Sequence, residues 1–400
     1  MDVWLPTILI CTAVAYYLMG KVWESNKKRP IFNRNKAPLV SIIIPSYKNE
    51  KRIEKVIKSA IRVDYPKKEI IVVNEVKDNT PKICEKYGVL CIQNKKRMGK
   101  PNSLNKAAKI AKGDLLFFVD ADTELSKECL RKMVPWFEDE KIGVVTPKNV
   151  VRNKKKSFIT KLSSIDSYFV ANLLKTHMFF GSLLSFRGCS VLVKRDVFNR
   201  VGGFRDTMTE DIDFSVRVLK AGYKIHFESE AVTKTDSPET ISSLKKQRFR
   251  WGKGAMFTFL RYYDFYFKNP QFLAYFLPYI FLPVAVFGFV VFRTYLYIIP
   301  MLSLYFLYTV SLKEFTLFLT MLLMPLISSL TTKITAAGTA GIMHTLIVAY
   351  PGRKNSKDIL YIIPYIFFYV PLITVFYIKG IVSAIRDKKN GRPELNLNEW

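Results

Sequence analysis

Short apolar runs alternate with segments of helical spacing over the first two thirds of the chain, and long apolar stretches fill the last third. Leu39-Val40-Ser41-Ile42-Ile43-Ile44, closed by Pro45, reads as a buried parallel strand. Residues Glu50 to Ile61 carry helical spacing, and Glu69-Ile70-Ile71-Val72-Val73 reads as a second strand. A helix over Asn102 to Ala111 leads into a further strand, Leu115-Leu116-Phe117-Phe118-Val119. This alternation, from about Pro38 to Arg261, predicts an α/β layer fold with a mostly parallel sheet. Ligands in such folds collect at the C-terminal ends of strands. Asn74-Glu75 and Asp120-Ala121-Asp122 both stand at such ends.

The flanks predict membrane segments. Val3 to Met19 is apolar apart from a few small polar residues, and Lys21, Lys27, Lys28, Arg29, Arg34 and Lys36 follow it. A cleaved signal peptide has its basic region first, so this order predicts an uncleaved anchor. The positive-inside rule then puts the N-terminus outside and the next domain in the cytoplasm. Further spans are expected near Phe272–Phe292, Tyr295–Val310, Phe315–Leu330, Ala336–Tyr350 and Ile359–Ile378. A full crossing takes roughly 20 residues, so the second and fourth are short. Basic stretches lie on both sides of the last span, at Arg353-Lys354 and from Arg386 to Arg392. A crossing segment cannot keep both on the inner side. The C-terminal count is therefore three to five, with room for one re-entrant or interfacial segment. The expected organisation is an anchor (1–20), a basic linker (21–37), a soluble domain (38–265), a transmembrane region (266–385) and a polar tail (386–400).

The chain is strongly basic, with 62 Lys+Arg against 33 Asp+Glu and a formal net charge of +29. Such an excess suits nucleic acid, an anionic leaflet or a phosphorylated substrate. No zinc-finger spacing or nucleic-acid-reading motif is present, so the bilayer and a phosphorylated substrate are the expected partners, not nucleic acid. Cys11, Cys84, Cys91, Cys129 and Cys189 form no C-x-x-C pair and read as reduced thiols. His177, His226 and His344 have no ligand spacing and read as structural or surface residues.

Three motifs carry candidate chemistry. Asp120 and Asp122 follow five apolar residues. In an extended chain both would point the same way, as oxygen ligands for Mg²⁺ or Mn²⁺ that bridge a nucleotide's phosphates. The alternative is that Asp122 caps a helix starting at Thr123-Glu124. Glu210 and Asp211 precede a helical run with Ile212, Val216 and Leu219. They are either dipole-favoured residues of a first turn or a general base for an acceptor hydroxyl. In Gln247-Arg248-Phe249-Arg250-Trp251, the residues Gln247, Arg250 and Trp251 share one helical face. Arg250 can fork onto diphosphate oxygens, Gln247 can donate beside it, and Trp251 can stack on an acceptor sugar. The alternative is an amphipathic interfacial helix. Gly99-Lys100 reads as a turn into a helix, with Lys100 either at phosphate or at the solvated surface.

These residues resemble the membrane-bound family-2 glycosyltransferases that include hyaluronan, cellulose, chitin and poly-N-acetylglucosamine synthases. The likeness spans roughly Leu39 to Gly254 and the flanking apolar segments. Ser41 to Tyr47 resembles the strand that opens the nucleotide pocket, which implies Pro45 and Tyr47 at the donor. Gly99-Lys100 and Leu104-Asn105 resemble the family's pair near the diphosphate. Asp120-Ala121-Asp122 matches the metal motif, with Asp122 as direct ligand. Phe186-Arg187-Gly188-Cys189-Ser190 resembles the acceptor loop, which implies Gly188, Cys189 and Ser190 there. Gly202-Gly203-Phe204 followed by Thr209-Glu210-Asp211 matches the base motif, with Asp211 as base and Glu210 beside it. Gln247, Arg250 and Trp251 match Q-x-x-R-W. Two positions depart from the family. Asn74-Glu75-Val76 stands where Asp-Asp-Gly or Asn-Asp-Gly is usual, so Glu75 is the expected donor contact with a longer arm. Arg187 and Cys189 stand where smaller or different residues are common.

The resemblance implies a GT-A-type, Rossmann-like cytosolic domain between N- and C-terminal transmembrane helices, in a multi-pass protein of the plasma membrane. It implies an inverting enzyme that uses a nucleotide-sugar donor, UDP-linked, with Mg²⁺ or Mn²⁺, and extends a glycan, with processive export as an added expectation. A second expectation is transfer of one sugar to a membrane lipid, as related ceramide glucosyltransferases do. A third is a non-enzymatic basic membrane protein that binds anionic lipid or polymer.

Overall fold

The computed structural model describes residues 18–269, 272 and 360–394. The expected anchor and the four spans between Phe272 and Tyr350 lie outside these residues, apart from Leu18, Met19 and Phe272. In chain order the elements are α1 (18–26), β1 (Val40–Ser46), α2 (Glu50–Ile61), β2 (Lys68–Asn74), α3 (Thr80–Lys86) and β3 (Leu90–Gln93). Next come α4 (Lys100–Ile110), β4 (Leu115–Val119), β5 (Glu124–Leu125), α5 (Cys129–Met133), β6 (Ile142–Val151) and α6 (Phe158–Phe179). They are followed by β7 (Ser190–Lys194), α7 (Arg195–Arg200), α8 (Glu210–Lys220), β8 (Lys224–Thr235), α9 (Ile241–Arg261) and α10 (Tyr263–Lys268). The last is α11 (Ile362–Lys389), with a π-helical turn at Tyr365–Tyr369.

The strands form one eight-stranded sheet in the order β3-β2-β1-β4-β7-β6-β8-β5. β1 to β4 are parallel, β7 is antiparallel to both β4 and β6, and β8 runs parallel to β6. Alternation along each strand builds a core on each face. Ile42, Ile44, Val72, Leu115 and Phe117 enter one core with α2 and α5. Ile43, Ile71, Val73, Leu116 and Phe118 enter the other with α4, α6 and α8. α2 follows from the same logic, since Ile53, Val56, Ile57 and Ala60 recur at helical spacing and are the buried positions. The strand order reverses between β1 and β4, so the crevice beyond their C-terminal ends is the fold's natural ligand site.

Two expected boundaries move. β1 runs through Pro45 to Ser46 instead of stopping before the proline. β4 pairs with β1 only as far as Ile43, so Pro45 lies where one side of the strand is open and its missing N–H costs nothing. α4 starts at Lys100, two residues before the expected Asn102.

α1 is fastened to the domain at its exit. Lys27 Nζ pairs with Glu228 at 2.8 Å and lies 4.8 and 5.0 Å from the ring centres of Trp23 and Trp136. His226 stacks on Trp136 at 3.8 Å, which agrees with its structural reading. At the other end of the chain α11 is long and apolar enough to cross a membrane, by length and composition, with mean hydropathy 1.8. It runs eleven residues past the expected Ile378. One side of it packs on the domain along its length. Ile362, Tyr365, Ile366, Tyr369 and Val370 join Ile159, Leu162, Ile165 and Phe169 of α6. Farther on, Gly380 of α11 faces Phe249 and Lys253 of α9, and Gly252 of α9 faces Tyr377. The two backbones meet there because neither glycine carries a Cβ. Polar ties flank the crossing. Buried Arg248 donates to Asp166 at 2.8 Å and to the hydroxyls of Tyr369 and Tyr377 at 3.2 Å. Lys253 pairs with Asp387 at 2.9 Å.

A Cβ at Gly380 would run into the Phe249 carbonyl, which a helix backbone cannot move aside. Gly380→Ala is therefore expected to destabilise the protein by about 1–3 kcal/mol, the usual cost of forced overpacking. Thermal unfolding in detergent measures it; a wild-type midpoint would show that the helices do not meet in this way.

Candidate active site

Gly99 takes φ +82°, a left-handed turn that suits glycine, and hands the chain into α4. Glu75, at the end of β2 and 7% exposed, sits over this helix start. It accepts from the Gly99 N–H at 3.3 Å and from the Ser103 hydroxyl. A carboxylate is favoured at that end of a helix. Lys100 then projects across the crevice. Its Nζ reaches Asp120 at 2.7 Å and Glu210 at 2.9 Å, and donates to the Gly188 carbonyl at 3.1 Å. The surface alternative for Lys100 is thereby set aside. One cation joins the ends of β4, the start of α8 and the loop before β7.

Asp120-Ala121-Asp122 is a turn, not an extended segment. The Thr123 N–H donates to the Asp120 carbonyl at 2.9 Å. Equal pointing at i and i+2 therefore does not apply here. Nor does the capping alternative, because the next element is the short strand β5. The Asp122 carboxylate instead accepts from Thr123 and Thr235 hydroxyls, each at 3.3 Å. Burial, with the charges of Asp120 and Asp236, pushes its carboxyl up to about 6.

Glu210 and Asp211 open α8 after Thr209, so the first-turn position is as expected. Their environments differ. Burial would raise Glu210, but the Lys100 ammonium and the nearby Arg250 outweigh it and hold the carboxyl below its ordinary value. Burial and the Glu210 charge push Asp211 up to about 6. One Asp211 oxygen accepts from the Gly188 N–H at 2.8 Å, and the other from its neighbour Ile212 at 3.0 Å. A Cβ at position 188 would stand 2.9 Å from that carboxylate, so glycine lets the loop approach.

α9 brings in the third motif. Arg250 Nη1 donates to the Met208 carbonyl at 3.3 Å, two residues ahead of Glu210. Gly254 packs against Met208 and Thr209. Gln247 and Trp251 are half-buried on the same helix. The Arg248 guanidinium lies 4.6 Å from the Trp251 ring centre, so the aromatic plate is backed by a buried cation.

Other expected site residues have different partners. The Asn105 amide is spent on the backbone of Phe204, donating at 2.7 Å and accepting at 2.9 Å. It fastens the Gly202-Gly203-Phe204 turn and is not turned to a donor. Ser190 is fully buried as the first residue of β7 and bonds Asn149 and Thr233, so its side chain does not face an acceptor. Pro45 lies near the end of β1. Tyr47 just beyond it is covered by Arg97, 4.3 Å from the ring centre. The Cys189 carbonyl accepts from the Asp120 N–H at 2.9 Å, and burial pushes its thiol up to about 12.

Several residues of the crevice carried no sequence signal. Arg152 grips Asp236 with two hydrogen bonds, at 2.9 and 2.6 Å, and also pairs with Glu124. Asp236 lies just past β8 in a stretch that reads only as a strand end. Arg248 was hidden as a variable position of Q-x-x-R-W, and its partner Asp166 is one acid inside an apolar helix.

Among the described residues no three His, Cys, Asp or Glu side chains form a metal cage. The donor set nevertheless fits a hard divalent cation shared with a ligand. Asp120 and Asp122 repel each other in a partly desolvated turn, with Asp236 adding to the repulsion. Mg²⁺-type ions take one or two carboxylates and complete their shell with phosphates and water.

The chain matches the Glycosyl transferase family 2 domain over residues 41–202. It is 29% identical over 276 residues to a poly-beta-1,6-N-acetyl-D-glucosamine synthase of Staphylococcus aureus, which covers 67% of each chain. A synthase of the same description from Staphylococcus epidermidis is 28% identical over 62% of this chain and 63% of that one. The structure is similar to a mannosyltransferase from Pyrobaculum calidifontis, solved in complex with GDP-Man and Mn²⁺. Their TM-score is 0.59 at 17% identity, over 97% of this chain and 98% of that one. At that identity the likeness concerns the fold.

Lys100→Met removes the cation and leaves Glu210, 6% exposed, without its charge partner. Breaking one side of a fully buried pair costs about 3–5 kcal/mol, and less is expected here because 27% of the Lys100 side chain is exposed. Glu210 is held below its ordinary 4.5, so the wild-type contribution exists above that pH and fades as pH falls. The deficit of the variant is thus full at pH 8 and shrinks toward pH 4. Unfolding curves at both pH values check this, and a deficit independent of pH would count against the pairing.

Proposed function

We propose that this chain, which carries a Glycosyl transferase family 2 match over residues 41–202 and is similar to polysaccharide synthases, transfers a sugar with inversion from a UDP-linked donor to a growing polysaccharide at the cytoplasmic face of the membrane. The observation that carries the proposal is the Lys100 junction, which draws the D-x-D turn, the start of α8 and the loop at Gly188 around one crevice. A donor diphosphate in that crevice would meet Lys100 and the fork of Arg250. Asp120 and Asp122 would hold Mg²⁺ or Mn²⁺, which neutralises diphosphate charge when bound. Asp211 would take the acceptor hydroxyl's proton as that oxygen attacks the anomeric carbon. The nucleoside diphosphate leaves from the opposite side, its new charge met by Arg250 and Lys100. Trp251, steadied by Arg248, would stack on the acceptor sugar. The likeness to two polysaccharide synthases favours a polymer over a single sugar on lipid.

Membranes carrying the protein, incubated with a panel of labelled nucleotide sugars, are expected to make a polymeric product that Asp211→Asn abolishes. A product of one sugar on lipid would reject polymerisation, and full transfer by Asp211→Asn would reject the base. Asp211 sits near 6 and must be charged to act. Transfer should therefore fall as pH drops through 6, approaching tenfold per unit for this one group. A rate that is flat down to pH 5 would remove the base assignment.

The same reading places α11 in the plane of the inner surface. Its first turns pack on α6, its middle on α9, and the chain beyond it reaches Met208. A helix held at both ends by one soluble domain does not cross. The opposite side carries an apolar stripe of Ile363, Phe367, Phe368, Val375, Ile378, Val382 and Ile385, suited to lipid. Both basic flanks then lie on one side, which removes the conflict that a crossing creates. Single cysteines at Leu360 and Asn390 are expected to react with an impermeant thiol reagent from the cytoplasmic side alone. Labelling of the two ends from opposite sides would restore a crossing helix.

A further inference from the structure

The chain beyond α11 reads as a polar tail, yet it is built to reach the crevice. Gly391 takes φ +66° at the end of the helix. Its N–H donates to Lys388 at 3.2 Å, and that of Arg392 donates to Asp387 at 2.9 Å. This left-handed cap closes the last turn, and Pro393 prevents its continuation. The reversal delivers Glu394 to the segment ahead of α8. The Glu394 side chain is only 10% exposed. One oxygen accepts from the Met208 N–H at 3.1 Å, and the other pairs with Arg261 at 2.5 Å. Arg261 in turn holds buried Asp213 at 3.0 Å, one turn into α8.

Met208 is thus held from both sides. Glu394 takes the N–H of the peptide before it, and Arg250 takes the carbonyl of the peptide after it. These two peptides set the approach to Thr209, and so the direction in which Glu210 and Asp211 leave the helix start. Arg250 is also the group proposed to turn to the donor diphosphate. When it does so, its hold on Met208 weakens and the Glu394 contact remains.

We propose that Glu394 is a positioning residue for the reaction: through the Met208 peptide it keeps the first turn of α8, and with it Asp211, aimed at the acceptor oxygen. This rests on the assignment of Asp211 as base. The tail is then a working part of the site, although it enters from the far end of the sequence.

Full-length protein in membranes is assayed as wild type, Glu394→Ala, Glu394→Gln and Asp211→Asn. Glu394→Ala is expected to lower kcat about tenfold, with donor KM within about twofold, the melting midpoint held and the acid limb of the pH profile unmoved. Glu394→Gln keeps an acceptor for the Met208 N–H and should recover most of kcat. Wild-type kcat in Glu394→Ala, where Asp211→Asn is inactive, overturns the proposal. So does a loss matched by a fall in melting midpoint, which makes the contact one of stability alone. Equal loss in the glutamine variant overturns the peptide route and leaves only the ion pair with Arg261. Activity in Asp211→Asn overturns the base assignment and the inference with it.

Discussion

The contact that the crevice depends on is Lys100 against Asp120 and Glu210. Five carboxylates (Asp120, Asp122, Glu210, Asp211 and Asp236) come from the ends of two strands and the start of one helix. Left alone, they would repel and draw the segments apart. A single ammonium with 27% of its side chain exposed cannot neutralise five charges. It fixes the geometry of Asp120 and Glu210, while Arg152 holds Asp236. The remaining excess falls at Asp122, beside Asp120, where a divalent cation and a diphosphate would complete the balance. In a chain with a formal charge of +29, this acidic patch is local and stands out against a basic surface.

The parallel half of the sheet was legible in the sequence because its strands are buried on both faces. Ile42-Ile43-Ile44 and Leu116-Phe117-Phe118 fill two cores at once and leave an uninterrupted apolar signature. The order of the motifs was legible because each sits next to such an element. Contacts between segments remote in sequence were not. Asn105 reaches Phe204 across 99 residues, and its role as a clamp depends on the left-handed Gly203, where a Cβ would collide with the Asn105 amide. Ser190 lies one residue inside a strand, and that single step turns its side chain to the buried network of Asn149 and Thr233. Asp120 to Asp122 forms a turn because the strand ends at Val119, a boundary that spacing alone does not fix.

The last helix combines the length and apolar content of a span with close packing on the domain. An apolar run near twenty residues satisfies the arithmetic of a membrane span. α11 meets that test and still lays one side on α6 and α9 along its length. The side that meets the domain carries Tyr365, Tyr369, Tyr377 and Asp387, which bond partners there, and Gly380, which lets the backbones approach. Arg248 is where this packing meets the chemistry. It is buried between Asp166 and two tyrosine hydroxyls, and its guanidinium backs Trp251. The aromatic plate proposed for the acceptor is therefore positioned by the same contacts that dock α11.

Adjacent carboxylates with opposite environments explain how the proposed chemistry divides between Glu210 and Asp211. Both are desolvated, so a lone member of the pair would resist charge. Lys100 satisfies Glu210 directly and fixes it as an anion. That anion makes a second charge beside it costly, and Asp211 rises to about 6. A group near that value is charged at neutral pH and is far better at accepting a proton than an ordinary aspartate. Glu210, tied to the ammonium, is unsuited to attack an anomeric carbon. Asp211 keeps both oxygens on backbone N–H groups, which hold it in place and leave lone pairs for a hydroxyl. An anchored anion beside a poised base, with no carboxylate free to act as nucleophile among the pair, fits a single displacement and hence inversion.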